Sequence, residues 1–341
     1  MSRLRLPQQT LVRHVAVAVV VGVVLYVISL ALSPFNDGEV LAKGAYYFIA
    51  IAGLTVLTGL NGQISLGHGA LMAVGAYTTA LLIAKQSFPL WAALLCSVPV
   101  SALAGAVVGA AATRLRGPYL AGATLAFAVG LPTLANKYTD FLGGENGISV
   151  PLTQTERQQA WIACLAALIV AVLLANLASG RWGRTFRAVR DDEVAAELAG
   201  LRVARVQTVA FVVSSACAGL AGGLLVMVST LVAPGAFALA LSLSLLTAVV
   251  LGGLGSLVGA VWGALLLVFL PRWSSDLADT FSLSTNVQNN LPLAVYGLVL
   301  IVAMIAAPGG IQGGVRRVGA WLSGRLSGRS REERAEVGAN G

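Results

Sequence analysis

The sequence predicts an all-α integral membrane protein, a polytopic bundle of about ten transmembrane helices of which some are short or broken. Two observations lead to this fold class. Of the 341 residues, 57% are hydrophobic and only 11% are charged, whereas about a quarter of the residues in soluble domains are charged. The apolar residues also fall in long runs, of the roughly 20 residues that a helix needs to cross a bilayer. Alternating segments typical of a membrane β-barrel are absent from the sequence.

The first predicted span, 15–32, follows a basic N-terminal segment. It is longer than the apolar part of a typical signal peptide, so we interpret it as a retained helix. Residues 1–310 form one predicted transmembrane domain, and residues 311–341 form a basic cytoplasmic tail that we expect to be flexible. Nine further spans are predicted at roughly 40–60, 66–84, 88–112, 118–135, 160–179, 207–231, 238–252, 256–271 and 290–307.

The distribution of charge predicts the orientation of these spans. If the N-terminus is cytoplasmic and each span crosses once, 17 of the 22 lysines and arginines lie on the cytoplasmic side, while the 14 acidic residues divide evenly. This asymmetry is what the positive-inside rule requires, so both termini are predicted to be cytoplasmic. No Asp or Glu falls within a predicted span. Since carboxylates inside a membrane usually mark proton or cation pathways, their absence disfavours a proton-coupled carrier.

The sequence gives little support for a disulfide-linked, metal-binding, ATP-hydrolysing or nucleic-acid-binding protein. The three cysteines lie singly in apolar runs and the chain has only two histidines, so we predict no disulfide framework and no metal site. The sequence contains no GxxxxGK[ST] loop for nucleotide phosphates. We therefore predict no catalytic residues and no ATPase site in this chain. The net charge of +8 reflects membrane orientation rather than a nucleic-acid partner.

One polar segment, residues 58–70, lies between two predicted spans and contains four glycines in the stretch 59–69. Each glycine costs about 1 kcal/mol in a helix interior, and lipid cannot pair the backbone groups that an unwound helix exposes. Two interpretations remain open, a broken helix lining a water-filled path and a polar cytoplasmic turn. Under the first, unwound backbone and half-helix ends can hold amino and carboxylate groups. The candidate path residues are then Asn61, Gln63, Ser65, Gly67, His68 and Gly69.

A second candidate lies in the predicted outer loop, residues 141–148, where Gly143, Gly144 and Gly147 permit turns with positive φ. Asn146 is the candidate path residue of this loop, as part of an outer gate. An ordinary exposed turn is the alternative interpretation.

The polar stretch 180–206 is a predicted cytoplasmic coupling loop. Asp191 and Asp192 can start a helix there and Gly200 can end it. Such an amphipathic helix is suited to docking into a groove on a soluble partner. The alternative is a solvated loop whose arginines only fix orientation. The candidate coupling residues are Arg184, Arg187, Arg190, Asp191, Glu193, Glu197 and Gly200, and the three arginines recur every third residue.

Several segments together resemble the membrane subunits of ATP-driven (ABC-type) importers, specifically the branched-chain amino acid permease family of LivM type. They occur in the family's order over residues 55 to 310. The matching segments are GLNGQISLGHGALMAVGAY, LRGPYLAGATLAFA, GGENGI, RTFRAVRDDEVAAELAGLRV followed by AFVVSSACAGLAGGL, and VVLGGLGSLVGAVWGALLLVFLP.

The resemblance implies a permease subunit that forms, with a second homologous permease, the translocation path for a small polar solute such as a branched-chain amino acid. It also implies two cytoplasmic ATP-binding subunits that consume the ATP, an extracytoplasmic solute-binding protein and a bacterial-type cytoplasmic membrane. No cofactor is implied for this chain. Residues 184–200 match the family's coupling loop, although Val194 interrupts its usual pattern. A urea or short-chain amide importer of the same family, an autonomous secondary transporter, and a membrane-embedded enzyme or scaffold remain as alternatives.

Overall fold

A computed structural model describes residues 37–113, 118–152 and 154–280, together with four short pieces between 294 and 314. These parts of the chain are almost entirely helical. The long helices are α1 (Asp37–Leu54), α2 (His68–Gln86), α3 (Leu90–Ala112), α4 (Pro118–Lys137), α6 (Glu156–Ser179), α7 (Arg181–Asp191), α9 (Val203–Ser229), α10 (Leu239–Gly252) and α11 (Leu257–Thr280). The short elements are a π-helix (Thr55–Leu60), α5 (Thr139–Leu142), α8 (Glu193–Leu198), 3-10 turns at Gly144–Asn146 and Pro234–Phe237, and strands β1 (Ile148–Ser149) and β2 (Leu231–Val232).

Each of the eight middle spans predicted from the sequence coincides with a helix. Six segments of the described chain are long and apolar enough to cross a membrane, and α2 and the apolar part of α11 fall outside that set. The predicted span 15–32 lies outside the described residues, as do most of 290–307 and all of the predicted tail beyond residue 314. The structure therefore supports a multi-pass helical membrane protein, and the total of ten spans stays a prediction.

Helix boundaries differ from the predicted ones where capping decides them. Helix α6 begins at Glu156, four residues before the predicted span, because Thr155 caps it. The Thr155 hydroxyl accepts from the backbone N–H of Gln158 at 3.4 Å, and the Gln158 side chain accepts from the backbone N–H of Thr155 at 3.2 Å. This reciprocal pair, a capping box, satisfies two donors that would otherwise lack partners.

Helix α9 is the centre of the bundle and packs against α1, α2 and α3. Glycine permits these contacts, because a Cβ atom on Gly75 of α2 would overlap the backbone of Gly219 in α9. On the same helix, a Cβ on Gly222 would overlap the carbonyl of Met72. Small residues at such crossings let two backbones approach closely, as is typical of helix contacts inside membranes.

The GxxxG pattern of Gly255, Gly259 and Gly263 serves two different purposes. Gly259 and Gly263 lie against the backbone of α10, at Gly252 and Ala248, which is the close helix contact that the spacing predicts. Gly255 instead lies in the turn between α10 and α11 with a φ of +77°. The spacing alone does not distinguish a glycine of a helix face from a glycine of the preceding turn.

The helices run between two chemically distinct ends. At one end lie α7, α8 and the π-helix, with a concentration of arginines. At the opposite end, β1 pairs antiparallel with β2, with Ile148 opposite Val232. The Lys85 ammonium at the end of α2 donates to the carbonyls of Asp140 and Phe141 at 3.1 and 3.2 Å. The chain passes between these two ends along α6, which runs from β1 to α7, and again along α9, which runs from α8 to β2.

The outer faces of α3 and α6 carry large exposed apolar side chains. On α3, Trp91, Leu103 and Val107 are each about two-thirds exposed or more. On α6, Leu165 and Leu173 are exposed at helical spacing. Since such wide apolar faces are costly in water, they fit a protein whose perimeter contacts lipid.

The α2–α9 crossing generates a stability prediction. We expect Gly75→Ala to lower the free energy of unfolding by about 1–3 kcal/mol, because the two helices must move apart to admit the methyl group. Thermal unfolding of the purified protein in detergent measures the change. Gly44→Ala is the matched control, since no atom of the described residues beyond its own local helix backbone lies within 4 Å of its Cβ position, and it should leave Tm unchanged or slightly raised. Equal losses of Tm in both variants would contradict the packing role.

Candidate functional site

The chain between α1 and α2 contains a break in helical structure, and this break comprises the π-helix and the non-helical residues 61–67. After α1, the backbone widens into a π-helix at Thr55–Leu60, where the N–H of Asn61 donates to the carbonyl of Val56 at 3.2 Å. Residues 61–67 are then non-helical until α2 begins at His68. The glycines predicted to make a continuous helix unfavourable thus coincide with a real interruption, and π-helical turns are frequent at functional sites.

The break reaches deep into the bundle rather than lying only at its end. The chain reverses at Gly62, which has a φ of +78°, and then runs back along α1. At the start of α2, the Nε2 atom of His68 donates to the carbonyl of Ala50 at 3.0 Å. Ala50 precedes Leu60 by ten residues, or about 15 Å along a helix. A simple surface turn between two spans does not describe this geometry.

Backbone donors freed by the break find partners on other helices. The N–H of Leu66 donates to the Thr124 hydroxyl of α4 at 3.0 Å, and the N–H of Gly69 donates to the Ser242 hydroxyl of α10 at 3.0 Å. Within the segment, the N–H of Gly67 donates to the Ser65 hydroxyl at 3.3 Å. Side chains that are distant in the sequence thus pair with this backbone, as expected because lipid cannot do so.

The side chains of the break alternate between the inside and the outside of the bundle. Asn61, Gln63 and Ser65 are buried within the chain, whereas Ile64 is 53% exposed. Among the residues that the structure describes, no hydrogen-bond partner lies near the buried side-chain amide atoms of Asn61, the Oε1 atom of Gln63 or the Nδ1 atom of His68. Buried polar groups without partners are uncommon and are often completed by water. The predicted polar residues therefore point into the subunit, and an apolar side chain occupies its exposed edge.

The two predicted glycines of the path have close neighbours. A Cβ on Gly67 would lie 2.8 Å from the carbonyl of Thr124, and a Cβ on Gly69 would lie 2.8 Å from the Ser242 hydroxyl. These glycines let the start of α2 approach α4 and α10 closely enough for the hydrogen bonds described above.

The predicted outer residue, Asn146, is not brought near the break. It lies exposed in the 3-10 turn at Gly144–Asn146, at the end of the molecule opposite the arginines. The surrounding glycines do adopt positive φ, with +79° at Gly143 and +71° at Gly147. This turn packs against α4, which also supplies Thr124 to the break.

The predicted coupling loop is a helical hairpin, formed by α7 and α8. Asp192 is the N-cap of α8, and its Oδ1 atom accepts from the N–H groups of Val194 and Ala195 at 2.9 and 3.0 Å. Gly200 follows the helix with a φ of +84°. Asp191 does not cap, because its carboxylate is engaged by Arg190 at 2.8 Å.

The three regularly spaced arginines donate to backbone carbonyls near the ends of neighbouring helices, although Arg184 and Arg190 stay exposed. The Nη1 atom of Arg187 donates to the carbonyl of Ala178 at 3.1 Å, and that of Arg184 reaches the carbonyl of Ser179 at 3.5 Å. Arg190 donates to the carbonyl of Gly59 at 2.9 Å. Cations at helix C-termini satisfy terminal carbonyls and interact favourably with the helix dipole. The sequence placed these arginines on one side of a helix but did not reveal these partners.

The other predicted coupling residues divide between internal and exposed positions. Glu193 is tied to α9, because its carboxylate accepts from the Gln207 side chain at 2.8 Å. Glu197 is exposed. Two apolar residues that were not selected as coupling residues are also exposed, Val194 at 65% and Leu198 at 86%. Their i, i+4 spacing on a short helix places them on one face, a signal that the sequence does contain.

Taken together, the exposed apolar perimeter, the broken helix inside the bundle and the arginine-rich hairpin define a class, that of multi-pass membrane transport proteins. The family model described as "Branched-chain amino acid transport system / permease component" matches residues 38–304. The chain belongs to this family of ABC permeases. Its members are transport subunits rather than enzymes.

Curated relatives agree with this assignment. The chain is 33% identical to the high-affinity branched-chain amino acid transport system permease protein LivM of Salmonella typhimurium, over 78% of this chain and 67% of LivM. It is 28% identical to LivH of the same organism, over 76% of this chain and 90% of LivH. It is also 29% identical to the autoinducer 2 import system permease protein LsrC of Yersinia pseudotuberculosis, over 69% of this chain and 71% of LsrC. The chain matches no solved structure.

The cross-helix hydroxyl at Thr124 generates a prediction. In Thr124→Val, the N–H of Leu66 loses its acceptor. Because this hydrogen bond is only partly buried, we expect the free energy of unfolding to fall by about 1 kcal/mol, the low end of the cost of an unpaired donor. Thermal unfolding and the hydrogen-exchange rate of residues 61–67 measure the effect. Thr133→Val on the same helix is the control, because the described hydrogen bond of its hydroxyl is to its own helix, at Val129. Unchanged exchange in Thr124→Val would contradict the anchoring role.

Proposed function

We propose that this chain is one of two permease subunits of an ATP-driven importer in a bacterial cytoplasmic membrane, and that the two subunits enclose the path of a small polar solute. The observation that carries this proposal is the family match over residues 38–304, together with the 33% identity to LivM. In this proposal the partners are a second homologous permease, two cytoplasmic ATP-binding subunits and an extracytoplasmic solute-binding protein. ATP is bound and hydrolysed by the partner subunits.

Branched-chain amino acids are the cargo that we favour. LivM and LivH are named for a branched-chain amino acid transport system, although LsrC is named for a different import system. The exposed edge of the break supports an aliphatic cargo, because Ile64 is half exposed there and Leu66 is partly so. Urea or a short amide, the alternative within the family, lacks the branched side chain that such an apolar edge would accommodate.

We assign the break to the wall of the path. Ser65 and His68 hold its shape through their hydrogen bonds, and Asn61 and Gln63 supply buried polar atoms to it. The close-packed Gly67 and Gly69 let neighbouring helices support it. Asn146 would lie at the outer mouth of the same path. The exposed edge at Ile64 would then be the part of the segment that meets the solute.

The hairpin of α7 and α8 is our proposed contact with the ATP-binding subunits. The guanidinium groups of Arg187 and Arg190 are occupied by helix ends of this chain. Val194 and Leu198, by contrast, present an exposed apolar face on α8. Such an i, i+4 pair can enter a hydrophobic groove of a soluble partner.

The distribution of arginines supports a cytoplasmic location for this hairpin. Six arginines of the described chain lie at the same end as the break, namely Arg181, Arg184, Arg187, Arg190, Arg202 and Arg205. Under the positive-inside rule that end faces the cytoplasm. The proposed topology then comprises about ten spans with both termini cytoplasmic.

Reconstitution tests the proposed function. The complete complex, rebuilt in liposomes from this chain, its co-expressed permease, the ATP-binding subunits and the binding protein, should accumulate radiolabelled leucine only when ATP is enclosed. The chain by itself should neither hydrolyse ATP nor accumulate leucine under an imposed proton or sodium gradient. Accumulation by the chain alone, driven by an ion gradient, would show a secondary transporter instead.

The docking face on α8 can be tested separately. We expect Leu198→Glu to weaken retention of the ATP-binding subunits about tenfold or more, since burying an unpaired carboxylate in an apolar groove is costly. Quantitative co-purification measures the retention. Leu231→Glu is the control, because Leu231 is also an exposed leucine, at 45%, but lies at the opposite end of the molecule. If both variants retain the ATP-binding subunits equally, the docking face is elsewhere.

A further inference from the structure

The guanidinium of Arg190 joins two parts of the chain that are 131 residues apart. Its Nη1 atom donates to the carbonyl of Gly59 in the π-helix at 2.9 Å. Its Nε and Nη2 atoms donate to the Asp191 carboxylate at 3.0 and 2.8 Å. The Asp191 contact orients the planar guanidinium, and the remaining donor is then directed to the broken helix.

Glycines bring the surrounding backbones to this arginine. A Cβ on Gly62 would lie 2.7 Å from the Cγ atom of Arg190, so α7 lies directly against the reversal of the chain. A Cβ on Gly59 would overlap the backbone of Gly255, in the turn between α10 and α11. The π-helix is therefore held between the hairpin on one side and this turn on the other.

We infer that Arg190 is a positioning residue that transmits movement of the α7–α8 hairpin to the broken helix, and through it to the exposed edge at Ile64. The inference rests on the proposed function, because it takes the hairpin as the part that the ATP-binding subunits move. The sequence assigned Arg190 to the contact with those subunits. The structure instead assigns its side chain an inward contact with the segment that we place in the path wall.

The position of this contact explains why it can transmit movement. Arg190 is in the last turn of α7, immediately before Asp192 caps α8. A displacement of α8 therefore acts first on the backbone next to Arg190. The Gly59 carbonyl lies in a π-helical turn, followed by a non-helical segment. The non-helical segment lacks the continuous i→i−4 hydrogen bonds with which an α-helix resists displacement.

The experiment follows a thiol placed at the exposed edge of the break. Ile64→Cys is introduced into the complete complex after Cys96, Cys164 and Cys217 have been replaced by alanine. The labelling rate of this thiol by a small methanethiosulfonate is compared in the nucleotide-free complex and in the complex trapped with ATP and vanadate. ATP hydrolysis and leucine import are measured on the same preparations and on the wild-type complex.

We expect the labelling rate to depend on nucleotide with Arg190 present, and to become independent of nucleotide in Arg190→Ala. ATP hydrolysis should persist in that variant, while leucine imported per ATP falls about tenfold or more, the factor associated with one charge-assisted hydrogen bond. Arg190→Lys should restore part of the import, because it keeps the charge but cannot serve Gly59 and Asp191 through one planar group.

Arg205→Ala is the control for loss of charge, since Arg205 is exposed at the same end of the molecule and lies outside the break. It should keep the nucleotide dependence at position 64. A nucleotide-dependent rate in Arg190→Ala, with normal import, overturns the inference and leaves the proposed function intact. A wild-type complex without ATP-dependent import refutes the proposed function, and a nucleotide-independent rate in an importing Ile64→Cys complex overturns the inference alone.

Discussion

The structure depends on one constraint, that backbone groups released by a broken helix inside an apolar bundle must be paired by the protein itself. In this chain the pairing comes from three different helices. Thr124 of α4 and Ser242 of α10 accept the freed N–H groups, and Arg190 of α7 donates to the free carbonyl. The break is thereby fixed in depth and direction, and each of its supporting helices is fixed relative to it.

Glycine makes this arrangement sterically feasible. The approach of α7 to Gly62, of α4 to Gly67 and of α10 to Gly69 leaves no room for a side chain at those positions. The same device holds the centre of the bundle together, where Gly75 meets Gly219. Since lipid provides no hydrophobic drive between helices, close contact of small residues supplies much of the attraction. Glycine therefore permits both the close packing of α2 against α9 and the approach of α4, α7 and α10 to the break.

The arginines have two physical roles at once. Their concentration at one end is the basis on which the positive-inside rule predicts the orientation in the membrane, and their side chains satisfy the carbonyls at the ends of α6 and the π-helix. Arg187 and Arg190 donate to carbonyls of this chain, and the large apolar side chains that α8 exposes are Val194 and Leu198. An apolar contact with soluble subunits and a charged contact with the broken helix can then coexist on one short hairpin.

The sequence by itself determined the fold class and the family. Apolar runs and the scarcity of charge are local properties, and each of the eight middle spans coincides with a helix. The sequence also located the break, because glycine acts on the backbone at its own position. It also predicted a helix start at Asp191 or Asp192, and a helix end at Gly200.

Only the tertiary structure decided what these residues contact. Asn61, Gln63 and Ser65 are buried within the subunit, Ile64 is exposed, and Asn146 lies at the far end of the molecule. The side chain of Arg190 donates to the carbonyl of Gly59. Which face of an extended segment is buried depends on helices that are distant in the chain. The partner of an arginine likewise depends on which carbonyl another helix leaves free, and neither fact is encoded within the segment itself.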